Sequence, residues 1–175
     1  MITFDVFSDG SSFNNGYKNK EKPQLAACAI LISYKEKILY QAAKSFQGDE
    51  ATISHAELMG AYLAITKTYE YTKKLKKFIY PINMNFYSDS QFVIKGVNEW
   101  ITNWIIKDWK NYEGKPIGQV DLWKKFYNEI LLNKEIYNIK FIHIKGHQKD
   151  NNFIINMNNK CDNMAKDKLL ELRKS

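Results

Sequence analysis

Phe7-Ser8-Asp9-Gly10-Ser11 is the stretch on which the reading of this chain turns. The run before it, Ile2-Thr3-Phe4-Asp5-Val6, sets Ile2, Phe4 and Val6 at alternate positions, the period of a strand packed on one face. An acid followed by glycine then interrupts the pattern. The strand is expected to stop at Asp9, with Gly10 letting the backbone turn sharply and come close to a ligand. An aspartate in such a place is ordinarily a turn residue. Its meaning depends on whether the rest of the chain supplies partners.

A polar segment from Phe13 to Gln24, with Asn14-Asn15-Gly16 and a lysine-rich run before Pro23, reads as an exposed connection. Leu25 to Ile32 is a near-continuous apolar strand, and Ile38 to Ala43 a third. Three strands on short connections predict an antiparallel meander. A helix is expected from His55 to about Tyr71, capped by Thr52 or Ser54, with Glu57, Ala61, Ala64, Ile65 and Thr68 on one face. Glu57 is out of place there, because a carboxylate on a packed stripe needs a metal ion or a cation beside it.

After a basic connection at Lys73 to Lys77, Ile82 to Tyr87 alternates as a fourth strand and runs into Ser88-Asp89-Ser90. Again an acid stands at a strand end, between small hydroxyl residues. Gln91 to Val97 reads as a short helix closed near Gly96, with Ser90 as its cap. From Glu99 to Trp123 a helix, a loop and a helix are expected, in which Trp100, Trp104, Trp109, Tyr112 and Trp123 interleave with Lys107, Lys110 and Lys115. Asp121 to Leu132 supplies the next helix and Ile139 to Ile144 a fifth strand. Lys145-Gly146-His147-Gln148 and a long asparagine-rich loop follow. The last helix is expected to begin near Asn158, with Asp162, Ala165, Leu169 and Leu172 on one side.

The chain of 175 residues is 45% apolar and 26% charged, which fits one globular domain over residues 1–175. Two cysteines, Cys28 and Cys161, make no disulfide framework, no signal-peptide pattern opens the chain, and no apolar run approaches the roughly 20 residues of a membrane span. An intracellular, cytoplasmic protein with no membrane association is expected. A formal charge of +7 with 14% aromatic residues suits a nucleic-acid partner.

Four acids stand out by position: Asp9 and Asp89 at strand ends, Glu57 and Asp162 at the starts of packed helices. If the first and fourth strands are neighbours, Asp9 and Asp89 lie side by side. Two such charges about 4 Å apart repel by about 4 kcal/mol even at an effective dielectric near 20. Cations would hold them together, and oxygen donors without a Cys/His cluster favour Mg²⁺ or Mn²⁺ over zinc. Paired ions of this kind, about 3.5–4 Å apart, support phosphodiester hydrolysis. His147, on a glycine-containing loop, suits proton shuttling or product release. His55 and His143 read as structural, and Asp5, with no glycine after it, is left out of the site.

The arrangement resembles the type 1 ribonuclease H family over nearly the whole chain. Phe-Ser-Asp-Gly-Ser at 7–11, His-Ala-Glu-Leu at 55–58, Tyr-Ser-Asp-Ser-Gln at 87–91, Lys-Gly-His at 145–147 and Asn-Lys-Cys-Asp-Asn-Met-Ala at 159–165 match its motifs in order. Glu-Trp-Ile-Thr-Asn-Trp at 99–104, continuing to Trp123, is similar to its basic protrusion. The resemblance implies an α/β ribonuclease H-like fold: a five-stranded mixed sheet, three strands antiparallel and then two parallel, flanked by helices.

It further implies an endonuclease, acting as a monomer, that hydrolyses the RNA strand of an RNA/DNA hybrid and leaves 5′-phosphate and 3′-hydroxyl ends. Asp9, Gly10, Glu57, Asp89 and Asp162 would hold two Mg²⁺ ions, with Mn²⁺ able to substitute, and His147 would assist turnover. Gly10, Ser11 and Gln91 would meet the RNA strand, Thr52 and Asn103 a DNA phosphate, and Trp100 and Trp104 the DNA strand. The alternatives are a non-catalytic hybrid-binding module of the same fold and a DNA-cutting nuclease of the same superfamily. The chain departs from the family in its expanded connection after Ser12, in Ile53 and Ser54 where asparagines are common, and in Ile105-Ile106 within the protrusion.

Overall fold

A computed structural model describes residues 2–13, 24–75 and 81–175. The opening strand β1 (Thr3–Phe13) is buried on both faces, because its alternating side chains meet different layers. Phe4 and Val6 join a core cluster with Ala61, Ala64 and Ile65 of α1 (Ile53–Lys74), while Phe7 joins a second cluster with Cys161 and Ala165 of α5 (Phe153–Lys174). Small residues on both helices let them lie close to the sheet.

Around β1 stand β2 (Leu25–Tyr34), β3 (Lys37–Gln47), β4 (Ile82–Ser88) and β5 (Tyr137–His143), in the spatial order β3-β2-β1-β4-β5. The β1–β2 and β2–β3 pairs are antiparallel, and the β1–β4 and β4–β5 pairs parallel. This is the mixed sheet that the sequence predicts. The short α2 (Gln91–Lys95), α3 (Ile101–Ile106) and α4 (Val120–Leu132) complete the layer on the α1 side, where Trp123 is fully buried.

Three expectations need correction. β1 does not stop at Asp9: its ladder with β2 continues through Asp9↔Ala29 and Gly10↔Cys28 to Phe13↔Leu25, so the partner strand carries it past the glycine. α2 does not close at Gly96, whose helical backbone (φ −53, ψ −51) passes the chain into a π-helical turn, Gly96–Trp100, and on into α3. Such a turn widens a helix without ending it. α5 begins at Phe153, five residues before Asn158, because Asn152 caps it by accepting from Ile155 N at 2.9 Å. Phe153, Ile154 and Met157 then pack on the Phe7 cluster, so the loop before α5 is shorter than expected. Thr52, not Ser54, caps α1. The lysine-rich connection at Asn14 to Lys22, and Lys76 and Lys77, lie outside the described residues.

Candidate active site

Asp9 lies on β1 within reach of Asp162 on α5 and is only 6% exposed. Burial, and then the nearby carboxylates of Asp89 and Asp162, push its carboxyl up to about 8, against the opposing pull of Gly10 N, which donates to Oδ1 at 2.8 Å. Glu57 reaches the same place from the first turns of α1. Gly10 permits that approach: a Cβ there would lie 2.8 Å from Glu57 N and 3.0 Å from Glu57 Cγ. The glycine therefore serves helix-to-strand contact rather than a turn. Burial also raises the Glu57 carboxyl; a hydrogen bond donated by Ser90 Oγ to Oε2 at 2.7 Å opposes this, and Asp89 reinforces it.

Asp89 follows β4 and its main-chain oxygen stands 3.2 Å from His143 Nε2. A Cβ on Gly146 would sit 2.6 Å from Asp89 Oδ2, so the loop carrying His147 passes directly against this acid. On α5, Asp162 Oδ2 accepts from Lys166 Nζ at 2.7 Å, with His147 Nδ1 3.9 Å away. His147 itself has φ 55, a left-handed conformation that costs a non-glycine residue of order 1 kcal/mol or more.

The four acids and His147 are thus brought together beside the C-terminal end of β4, where the middle of β1 carries Asp9. They are linked in pairs: Asp9 with Asp89, Asp9 with Asp162, Glu57 with Asp89, and His147 with Asp162. Among the described residues no three His, Cys, Asp or Glu side chains close to the spacing of a finished metal cage. The donor set is all oxygen, and a carboxyl raised by burial and then by converging acids is one whose ionised form a divalent cation would stabilise, so the residues fit such an ion.

The remaining sequence candidates are dispersed around this centre. Ser11 is half-buried on β1, Gln91 opens α2 at the surface, and Thr52 Oγ accepts from His55 N at 3.1 Å as the α1 cap. Asn103 is exposed on α3. Trp100 and Trp104 are partly buried with ring centroids 5.8 Å apart, and Trp104 also packs at 5.1 Å on Trp123. The expectation of a basic protrusion is not met. From Glu99 to Trp123 three lysines face four acids (Glu99, Asp108, Glu113, Asp121), a formal charge of −1. Lys110 pairs with Asp108 at 3.2 Å and Lys115 with Glu113 at 3.0 Å, while Ile106 and Tyr112 are 77% and 90% exposed.

Sequence reasoning misses three neighbours of the acids. Ser90 is legible as a cap but not as the donor to Glu57. His143 ends the strand beside that of Asp89, the edge of a parallel sheet where sites gather. Lys166 is findable from its i, i+4 spacing to Asp162.

The family model for RNase H matches residues 3–169. The chain is 30% identical over 167 residues to a Ribonuclease H of Clostridium botulinum, covering 95% of each chain. Among solved structures, the solution structure of the PFV RNase H domain superposes with a TM-score of 0.72 at 20% identity, over 97% of this chain and 96% of that one. The crystal structure of LC11-RNase H1 in complex with RNA/DNA hybrid superposes with a TM-score of 0.59 at 14% identity, over 97% and 98%. These two likenesses speak for the fold. Among the described residues no helix is long and apolar enough to cross a membrane. With a family match nearly from end to end, and a relative aligned along almost its whole length, the chain belongs to the RNase H family, whose members depend in general on divalent metal ions.

Proposed function

We propose that this chain, acting as a single monomeric domain over residues 1–175 in the cytoplasm, hydrolyses the RNA strand of RNA/DNA hybrids and leaves 5′-phosphate and 3′-hydroxyl ends. The observation that carries the reading is the convergence of Asp89 and Asp162 on the buried Asp9, whose carboxyl rises to about 8. Asp9, Glu57, Asp89 and Asp162, with the main chain at Gly10, would hold two Mg²⁺ ions, Mn²⁺ substituting. Bound there, the ions supply an activated water and charge stabilisation at the leaving oxygen.

The protein's own part is orientation and proton handling. Ser90 fixes one carboxylate oxygen of Glu57, and Lys166 holds one of Asp162. His147, exposed on its loop beside Asp162, is placed to take or give a proton and to ease product departure. Thr52 Oγ already accepts from His55 N, which leaves its O–H free to donate to a DNA phosphate. Asn103 joins it there, while Trp100 and Trp104 offer ring faces to the DNA strand. Gly10, Ser11 and Gln91 contact the RNA strand, where a 2′-hydroxyl tells RNA from DNA.

The test is a hybrid labelled on its RNA strand, compared with DNA duplex of the same sequence. Metal-dependent cutting of the hybrid RNA alone is expected, and Asp9→Asn should bind the hybrid without cutting it. Equal cutting of both duplexes, or retained cutting by Asp9→Asn, overturns the reading.

A further inference from the structure

β5 is joined to α5 by residues 144–152, and His147 stands on this connection. Its side chain is 74% exposed, so little packing fixes the imidazole, and the backbone decides where the ring goes. That backbone is costly for a residue with a Cβ, because φ 55 lies in the sparsely populated left-handed region. A free connection would leave it for an extended or right-handed conformation and carry the ring away from Asp162 Oδ2, which stands 3.9 Å from Nδ1.

Two side-chain amides oppose that escape. Gln148 Nε2 donates to Lys145 O at 2.8 Å, closing the backbone around His147. Asn159, in the second turn of α5, donates from Nδ2 to Gln148 O at 3.1 Å and so ties the connection to the helix. Asn159 and Asp162 are three apart and share a helix face, which places the tie and the acid on one rigid element. On the far side Ile144 N donates to Ser88 O at 3.0 Å, and Gly146 passes so close to Asp89 that a Cβ would lie 2.6 Å from Oδ2. The two amides complete neither a helix cap nor a strand ladder; their bonds end on main-chain carbonyls on either side of His147.

We propose that Gln148 and Asn159 are positioning residues, which hold His147 in its left-handed conformation so that the imidazole stands beside Asp162 before substrate arrives. A ring already in place need not be ordered at the moment of reaction, and that saving appears in the rate of the chemical step rather than in affinity. Both amides act through His147, so without its imidazole they have nothing to position. The consequence for catalysis rests on the proposed hydrolysis of hybrid RNA; the hold on the connection does not.

The test compares the full chain with Gln148→Met, Asn159→Leu and the double variant, whose new side chains are similar in size but cannot donate. ¹⁵N relaxation without nucleic acid or metal reads the hold directly. The His147 amide is expected at an order parameter of about 0.85 in the parent chain and below about 0.6 in the double variant, with the amides of β5 and α5 unchanged. Steady-state cutting of hybrid RNA reads the consequence: kcat about 10-fold lower in the double variant, KM within about twofold, and no further loss when the same substitutions are made in His147→Ala. An unchanged order parameter at His147, or a loss of kcat as large in the His147→Ala background, overturns the proposal. If the parent chain does not cut hybrids the proposed function falls, and the order parameter alone still decides whether the pair holds His147.

Discussion

Ser90 Oγ donates to Glu57 Oε2 at 2.7 Å and at the same time accepts from Val93 N at 3.2 Å. One hydroxyl thus caps α2 and orients an acid of the proposed metal site. Ser90→Ala should lose about 1 kcal/mol of stability from the cap. It should also lower kcat about 10-fold and raise the metal concentration needed for half-maximal rate, since a hydrogen bond to a charged group contributes about 1.5–3 kcal/mol. Ser90→Thr should restore both. A loss of stability with unchanged metal dependence would show that the hydroxyl is only a cap.

The Asp9 carboxyl predicts how the metal-free protein responds to pH. Its value rises from an ordinary 3.8 to about 8 on folding. Below about pH 4 both states hold the proton and the contribution is flat; from there to about pH 8 the folded state binds more protons, so its stability falls as pH rises. Urea midpoints without metal should therefore be higher at about pH 5 than at about pH 8, and Asp9→Asn should flatten the difference. Added Mg²⁺ should recover stability chiefly at the higher pH, where the ionised form is the ligand. A midpoint that climbs over this range in the metal-free protein would contradict the assignment.

The protrusion, lacking net positive charge, predicts weak and shallow salt dependence. Ile105 and Ile106 are 41% and 77% exposed on α3. Replacing both by lysine should lower KM for the hybrid severalfold at low salt with kcat unchanged. If both cations reach phosphates, the slope of log K against log salt should steepen by up to about 1.8. An unaltered slope would place this tip away from the nucleic acid.

His147 combines exposure, a strained backbone and proximity to Asp162. His147→Ala should reduce kcat by about 10²-fold, the lower end of what a positioned acid–base group contributes, while leaving more activity than Asp9→Asn. His147→Gly should be as slow but more stable than His147→Ala by about 1 kcal/mol, because glycine adopts φ 55 freely. Comparing single-turnover rates and thermal midpoints of the two variants checks both halves.

Much of this architecture is legible in the amino-acid sequence, for a physical reason. Strand alternation and helical spacing are local patterns, so β4, α1 and α4 fall close to where periodicity puts them, and each of the four acids stands on an element whose packing makes a lone carboxylate awkward. What is not legible depends on partners distant in sequence. Pairing with β2 carries β1 through Asp9 and Gly10, although their own residues suggest a turn. The Phe7 cluster recruits Phe153, Ile154 and Met157 into α5, although the surrounding asparagines suggest a loop. The charge of the protrusion is countable from its residues alone; its tryptophans and lysines obscure the acids that neutralise them.

α5 has a consequence for how the protein is made. Asp9, Glu57 and Asp89 come from elements synthesised early, but Asp162 arrives with α5, which also covers Phe7, Ala29 and Leu31 on its side of the sheet. A nascent chain paused on the ribosome before residue 153 therefore has neither its fourth acid nor a shield for that apolar surface. On the proposed reading such an intermediate lacks an acid needed for cutting, and it leaves the Phe7 face of the sheet uncovered. Docking of α5 covers that face and brings Asp162 to the proposed site in a single step.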